Sequence, residues 1–106
     1  MINNMYLTLK GKIQEEYEIE IQDKLQLLAD GVEVSKIYTD DFNCLRNILY
    51  NDVNWYAVHG KLTATQSRSL LNMIDSLRIQ SLDYVSYYIL KHRKGVTYEN
   101  RQHKAF

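Results

Sequence analysis

Proline is absent from this sequence, and glycine and cysteine are rare. The 106 residues include no proline, four glycines and one cysteine. So few prolines and glycines leave little material for long loops. The single cysteine, Cys44, excludes an internal disulfide and a cysteine-rich zinc site. Four isolated glycines also cannot form the glycine-rich phosphate cradles of nucleotide-binding proteins.

The sequence also lacks a net charge, a long apolar run and a targeting signal. Its 13 Lys/Arg balance 13 Asp/Glu, which gives no whole-molecule attraction to nucleic acid or to an anionic membrane. No apolar run is long enough to span a bilayer, and we find neither a secretory h-region nor a lipidation signal at Phe106. We therefore expect one cytoplasmic domain covering residues 1–106.

The charges are unevenly distributed along the chain. Residues 1–56 contain five Lys/Arg and ten Asp/Glu, a net charge of −5. Residues 57–106 contain eight Lys/Arg and three Asp/Glu, a net charge of +5. The asymmetry has three interpretations: two halves that complement each other within the molecule, head-to-tail assembly, or a basic end that binds something.

Catalytic signatures are missing as well. The sequence contains no GxGxxG, CxxC, HExxH or GxSxG pattern, and its three histidines have no recognised metal-ligand spacing. We expect Cys44 to be a buried packing residue and His59 to interact with free carbonyls at a helix end. The sequence therefore predicts a protein that is not an enzyme and that has no cofactor and no metal site.

The stretch from Thr63 to Gly95 predicts a long amphipathic helix, over about residues 64–94. Thr63 and Gln66 fit a capping box at its start, and Gly95 is a favourable residue at its end. The residues expected on its core stripe are Leu70, Ile74, Leu77, Ser81, Val85 and Tyr88. A straight helix of this length would overhang a compact domain of this size, with its basic end free.

A second helix is predicted over about residues 40–59. Thr39, Asp40 and Asp41 are typical of a helix start, and Gly60 is typical of a helix end. The predicted core stripe consists of Phe42, Leu45, Ile48, Leu49, Val53 and Tyr56. Because the link to the long helix is short, we expect an antiparallel helical hairpin. The remaining residues, 96–106, form a polar tail.

Residues 6–38 predict strands. Apolar side chains recur at odd positions, with a period of two: Leu7, Leu9, Ile13, Tyr17, Ile19, Ile21, Leu25 and Leu27. A helix over residues 13–29 is the competing interpretation, because some of the same positions also form a helical stripe. A β-hairpin places Lys12 opposite Glu18 and Lys10 opposite Glu20, whereas a helix places Glu16 and Glu20 in repulsion. This pairing favours the strands.

The resulting fold class is α+β. Asp30-Gly31 is typical of a two-residue hairpin loop. The predicted strands cover residues 6–13, 17–22, 25–29 and 32–38. They form a four-stranded antiparallel meander, and the two-helix hairpin packs on one face of this sheet.

Four apolar residues are predicted to contact a partner. Ile79, Tyr87 and Leu90 lie on the back of the long helix, opposite its core stripe, and Trp55 lies off the core stripe of the second helix. Tyr and Trp side chains often dominate binding energy at protein interfaces. The alternative is that these residues are scattered, exposed apolar side chains without a role. We expect a protein partner, or a second copy of the chain.

The basic end of the long helix supports a second hypothesis, in which the protein is a nucleic-acid-binding transcriptional regulator. The residues concerned are Lys91, Arg93, Lys94, Tyr98, Arg101 and Lys104. Cations beside an aromatic ring can bind phosphates and stacked bases. A solvated helix end with no binding role is the simpler explanation of the same residues.

In composition, the chain resembles the small accessory proteins of bacteriophages and mobile elements, anti-CRISPR proteins among them. The shared features are a length of about a hundred residues, a lack of catalytic motifs and many Asn, Tyr and Ile residues. This resemblance carries over no individual residue. It implies an inhibitor or regulator that works by occupying a surface of a host or rival protein.

Overall fold

The computed structural model describes residues 4–93, and within this range three α-helices pack side by side. Helix α1 spans Asn4–Ala29, α2 spans Asp41–Val58 and α3 spans Ala64–Arg93. A short 3-10 helix, Val34–Lys36, lies in the connection between α1 and α2.

Side-chain pairs fix the directions of the helices. Lys12 of α1 binds Asp52 of α2, and Lys24 binds Asp41, so higher numbers on α1 meet lower numbers on α2. Tyr6 of α1 hydrogen-bonds Ser69 near the start of α3. Helix α2 therefore runs antiparallel to α1, and α1 runs parallel to α3.

The predicted α+β fold is wrong, because no strand occurs in the part of the chain that the structure describes. Helix α1 covers three of the four predicted strands (6–13, 17–22 and 25–29), and residues 32–38 form the connection to α2. The buried residues of α1 follow a helical spacing: Leu9, Ile13, Tyr17, Lys24 and Leu28. Two odd-numbered residues that fitted only the period of two, Leu7 and Ile19, are 58% and 47% exposed.

The charge pairs that favoured a β-hairpin contribute less free energy than the burial of apolar side chains in a helix. A pair of like charges four residues apart on a helix costs only about 0.2–0.5 kcal/mol, whereas full burial of one large apolar side chain contributes roughly 1.5–3 kcal/mol. The repulsion at Glu20 is also offset, because Lys24 lies 3.1 Å from its carboxylate. Lys12, expected to face Glu18, lies 3.2 Å from Asp52 instead.

The core is formed jointly by all three helices and by Leu62, two residues before α3. Its buried members are Leu9, Ile13, Tyr17, Phe42, Leu49, Val53, Leu62, Leu70, Ile74 and Val85. The rings of Tyr17 and Phe42 are nearly parallel, with centroids 6.4 Å apart. Three residues of the predicted α3 stripe, Leu70, Ile74 and Val85, are completely buried.

The helix ends follow local sequence rules. At the start of α3, the Thr63 amide donates to Gln66 Oε1 at 2.9 Å and the Gln66 amide donates to Thr63 Oγ1 at 3.1 Å. The predicted capping box is therefore confirmed. At the start of α2, Asp40 makes no side-chain bond to the backbone, and its carboxylate accepts from Asn43 Nδ2 instead.

Glycines end α1 and α2. Gly31 has φ +81° and Gly60 has φ +72°, both in the left-handed region that other residues rarely adopt. The amide of Gly31 donates to Leu28 O, and the next amide, of Val32, reaches back to Leu27 O. These bonds form a Schellman motif, a helix C-cap. The predicted hairpin turn at Asp30-Gly31 is therefore wrong, although its glycine does take a positive φ.

The three helices differ in length, which makes the molecule elongated. Helix α2 has 18 residues, against 26 in α1 and 30 in α3. At about 1.5 Å per residue, α3 is roughly 18 Å longer than α2. The molecule measures 59 × 28 × 17 Å and has a radius of gyration of 17.8 Å. A compact chain of about 100 residues would have a radius of about 13 Å.

Candidate functional site

Exposed aromatic side chains cluster on the last turns of α3, beyond the level where α2 begins. Tyr84, Tyr87 and Tyr88 are 47%, 60% and 36% exposed. The Tyr88 ring contacts both others edge to face, with centroid distances of 5.0 Å to Tyr84 and 5.2 Å to Tyr87. Leu90, three residues after Tyr87, is 52% exposed. We call these four residues the distal aromatic patch.

A groove beside the patch separates the end of α1 from α3. Its volume is about 530 Å³, and Leu25 and Leu28 line one side while Tyr84 and Tyr88 line the other. A hydrogen bond to Tyr88 raises the pKa of the Tyr84 hydroxyl. The two rings are thus held against each other at the mouth of the groove. The groove can accept an apolar side chain and offers phenolic hydroxyls at its edge.

Ile79, another predicted contact residue, lies away from this patch. It is 51% exposed and lines a groove between α2 and α3. Helix geometry places it on the same face as Leu90, but eleven residues away, or about 16 Å along the axis. The groove around Ile79 is mainly polar.

A polar network fills the groove beside Ile79. Asp75 accepts hydrogen bonds from Arg46 Nε at 2.8 Å and from Tyr50 at 2.5 Å. The bond from Tyr50, followed by the bond from Arg46, holds the pKa of Asp75 below its ordinary value. The Arg46 guanidinium lies over the Tyr50 ring, 4.1 Å from its centroid, and Arg78 donates to Asn43 at 3.1 Å. These contacts join α2 to α3, so the first role of the network is to hold the two helices together.

Trp55 lies on yet another surface, the outer side of α2. It is 54% exposed, and its ring stacks on that of His59 at a centroid distance of 3.9 Å. His59 Nδ1 lies 2.7 Å from the Trp55 carbonyl, which confirms the predicted contact of His59 with a helix-end carbonyl. Along α2, Trp55 is twelve residues, about 18 Å, from Asn43, which neighbours the Ile79 groove. The structure therefore brings Tyr87 and Leu90 together but separates both from Ile79 and Trp55.

Several residues that the sequence patterns place in the core are exposed. Tyr88 was assigned to the core stripe of α3 and Ile48 to that of α2, yet they are 36% and 57% exposed. Cys44, expected to be buried, is exposed too. For Tyr88 the length difference between the two predicted helices was the available signal, because a shorter α2 cannot cover the end of α3.

Only part of the predicted basic end can be described. Lys91 and His92 are exposed, and Arg93 is the last residue of α3. Lys94, Tyr98, Arg101 and Lys104 lie outside the described residues, as does Gly95. At the same end of the molecule, near the end of α1 and the start of α2, Lys24 is buried between Glu20 and Asp41. Burial lowers the pKa of Lys24, but its hydrogen bonds to Asp41 and Glu20 outweigh this and raise it.

The ion pairs named above do not balance the negative charge of residues 1–56 against the positive charge of residues 57–106. Lys12–Asp52 and Lys24–Asp41 each join two residues of the acidic half. Arg46–Asp75 joins a cation of the acidic half to an anion of the basic half. None of these three pairs neutralises the excess charge of one half with that of the other.

Searches for metal sites, membrane spans and relatives gave negative findings. Within residues 4–93, no group of three or more His, Cys, Asp or Glu side chains is placed to hold a metal ion. None of the helices described is long and apolar enough to cross a membrane. Comparison with protein families, curated proteins and solved structures found no match to the chain.

Proposed function

We propose that this protein binds another protein without catalysing a reaction, and that the distal aromatic patch is its contact surface. The observation that carries the proposal is the exposure of Tyr84, Tyr87, Tyr88 and Leu90 side by side at one end of the molecule. Tyrosine has few rotatable bonds and a polar hydroxyl, so it buries a large area at small entropic cost. Three such rings, two of which line a groove, together with Leu90 next to Tyr87, resemble the centre of a binding surface.

The biological setting follows from the resemblance in composition. We propose that the protein is a phage or mobile-element inhibitor or regulator that acts in the cytoplasm by binding a host or rival protein. The distal aromatic patch would take the role first assigned to Trp55, Ile79, Tyr87 and Leu90 together. Ile79 and Trp55 lie too far away to share one small contact with it.

The test is capture by a tagged protein from a lysate of the native host, followed by mass spectrometry. The double variant Tyr87→Asp and Leu90→Asp should lose a partner that the wild type retains. Both side chains are at least half exposed, so circular dichroism should show an unchanged fold. Asn72→Asp is the matched control, because it adds a charge to the exposed surface of α3 away from the patch. Equal retention by the double variant and the wild type would contradict the proposal.

A second candidate is nucleic-acid binding by the basic end of α3. It is favoured by the exposure of Lys91 and His92 at the helix tip, in a half of the chain with a net charge of +5. Binding would weaken steeply with salt, since each phosphate contact releases counterions. Fluorescence anisotropy with labelled duplex and single-stranded DNA should then show weaker binding for Lys91→Ala with Arg93→Ala. No anisotropy change at low salt would eliminate this candidate.

A further inference from the structure

The outer side of α2 carries a stripe of exposed residues with coiled-coil spacing. Its members are Cys44, Ile48, Asn51, Trp55 and Val58. Successive members are four, three, four and three residues apart, which is the alternation of a heptad seam. Ile48 is 57% exposed, Trp55 54% and Val58 82%, and the other two are also exposed. The buried side of the same helix, with Phe42, Leu49 and Val53, is complete without them.

This stripe, which we call the α2 seam, is also free of charge. None of its five residues is an Asp, Glu, Lys, Arg or His. Asn47 and Asn54 flank it on one side. On its other side Asp52 lies 3.2 Å from Lys12 of the same chain, so its charge is already balanced. Two copies can therefore meet through this face without placing unbalanced like charges together.

The exposed faces of the other two helices differ in this respect. On α1, Glu15, Glu18 and Asp23 are exposed around Ile19, so two such faces would repel each other. The exposed face of α3 carries the charged residues Arg68 and Asp83, so it is not free of charge either. Like charges placed directly against each other oppose a symmetric contact. Among the described helices, α2 thus presents the face best suited to an identical copy.

We propose that the α2 seam is a self-association surface, through which two copies pair antiparallel about a two-fold axis near Asn51. The seam is nearly symmetric about this residue, because Cys44 and Val58 are each seven residues from it. A two-fold axis there sets Cys44 against Val58 of the second copy. It also brings Ile48, three residues before Asn51, close to Trp55 of the second copy, which is four residues after it. The small ends meet each other, and the large Trp55 ring meets a branched aliphatic side chain. Asn51 faces its equivalent, and a paired amide inside an apolar seam fixes register.

The surface area that the α2 seam can bury indicates how stable the dimer is. The five exposed side chains offer roughly 500 Å² per copy, so pairing through them buries at most about 1,000 Å² in total. That area lies at the lower limit for a specific interface. The dimer is therefore reversible and dissociates on dilution, unlike an obligate dimer.

Chemical cross-linking tests the geometry, and Cys44 is a built-in probe. In the antiparallel dimer the two Cys44 thiols lie on opposite sides of the axis, about 21 Å apart along the helices. A short bismaleimide should therefore leave wild type uncross-linked but should join two copies of Val58→Cys, whose new thiol lies against Cys44. Gln22→Cys, with an added exposed thiol on α1, is the matched control and should stay uncross-linked. A cross-linked wild-type dimer would show parallel pairing and overturn the proposal.

Light scattering tests whether the α2 seam drives association at all. The wild-type mass should rise from monomer towards dimer with concentration, and Ile48→Glu should weaken this association at least tenfold. Leu90→Glu is the matched control, because Leu90 is about equally exposed but lies on the distal aromatic patch. A dimer lost in Leu90→Glu and kept in Ile48→Glu would assign self-association to the patch. A wild type that stays monomeric at millimolar concentration would also overturn the inference, while leaving the proposed partner contact untouched.

Discussion

The hydroxyl groups of Tyr17 and Tyr50 differ in their hydrogen bonding. The hydroxyl of Tyr17 is buried and has no hydrogen-bond partner among the described residues, whereas that of Tyr50 donates to Asp75 at 2.5 Å. Tyr17 is predictable from the sequence as a core residue, since it fits both a strand pattern and a helical stripe. The partner of Tyr50 is not, because Asp75 lies on another helix whose alignment with α2 no local pattern specifies.

Replacing each hydroxyl should therefore have different effects. At pH 7, Tyr17→Phe should change the free energy of unfolding by less than about 1 kcal/mol, because it removes no hydrogen bond. Tyr50→Phe should lower it by about 1–2 kcal/mol, because a hydrogen bond to a carboxylate is lost. Urea denaturation followed by circular dichroism measures both values. Equal destabilisation by the two variants would show that the hydroxyl of Tyr17 has a partner.

Alkaline pH should separate wild type from Tyr17→Phe. Burial raises the pKa of Tyr17 from 10.0 to about 12. Between these values the unfolded chain loses the proton while the folded protein keeps it, so stability falls as pH rises. The loss should begin near pH 10 and amount to roughly 2–3 kcal/mol by pH 12. Denaturation curves should show this extra loss in wild type and not in Tyr17→Phe. Parallel pH profiles of the two proteins would contradict it.

The apolar core positions of α1 were identified correctly from the sequence, but its secondary structure was assigned wrongly. The odd-numbered apolar positions also include Leu9, Ile13 and Tyr17, which are four residues apart and suit a helix equally well. The choice depended on weak cross-strand charge pairs, and it ignored that α2 and α3 could bury one stripe of a third helix. Start and end signals were more informative for α2 and α3, whose bounds lie within two residues of the predicted ranges.

Two glycines, one inside α1 and one just after its end, test this assignment at the level of the element. A Cβ added at Gly11, inside the helix, meets no atom within 4 Å, so Gly11→Ala should raise the free energy of unfolding by about 0.5–1 kcal/mol. Gly31→Ala should lower it by about 1 kcal/mol or more, because φ is +81° there. Thermal and urea denaturation measure both. A Gly11→Ala variant less stable than wild type would contradict a helix at that position.

Unequal helix lengths determine the surfaces of the whole molecule. Because α2 is short and antiparallel to both others, one end of the α1–α3 pair is left without it, and Tyr84, Tyr87 and Tyr88 remain exposed there. The sequence predicted that α3 would overhang, and its patterns did locate Tyr87 and Leu90 outside the core. They did not show that Trp55 and Ile79 lie on other surfaces, since that depends on how the helices are rotated about their axes.

The two proposed surfaces predict assemblies of different length. The molecule is 59 Å long, and Asn51, at the centre of the α2 seam, lies seven residues, or about 10 Å, from the end of α2 that is opposite the distal aromatic patch. Antiparallel pairing about Asn51 overlaps the two copies only along α2 and leaves the two overhangs at opposite ends, so the dimer should be roughly 90 Å long, about one and a half times the monomer. End-to-end contact through the patches would instead give an assembly of roughly 120 Å, about twice the monomer.

Small-angle X-ray scattering over a concentration series measures this length directly. The forward intensity should rise with concentration towards twice the monomer value, while the maximum dimension rises by only about half, because the two copies overlap along α2. Ile48→Glu should hold both quantities at their monomer values, and Leu90→Glu should behave as wild type. A maximum dimension that doubles as the mass doubles, and that keeps its monomer value in Leu90→Glu, would place the contact at the patches. In that case the α2 seam would be an exposed stripe that makes no contact between copies.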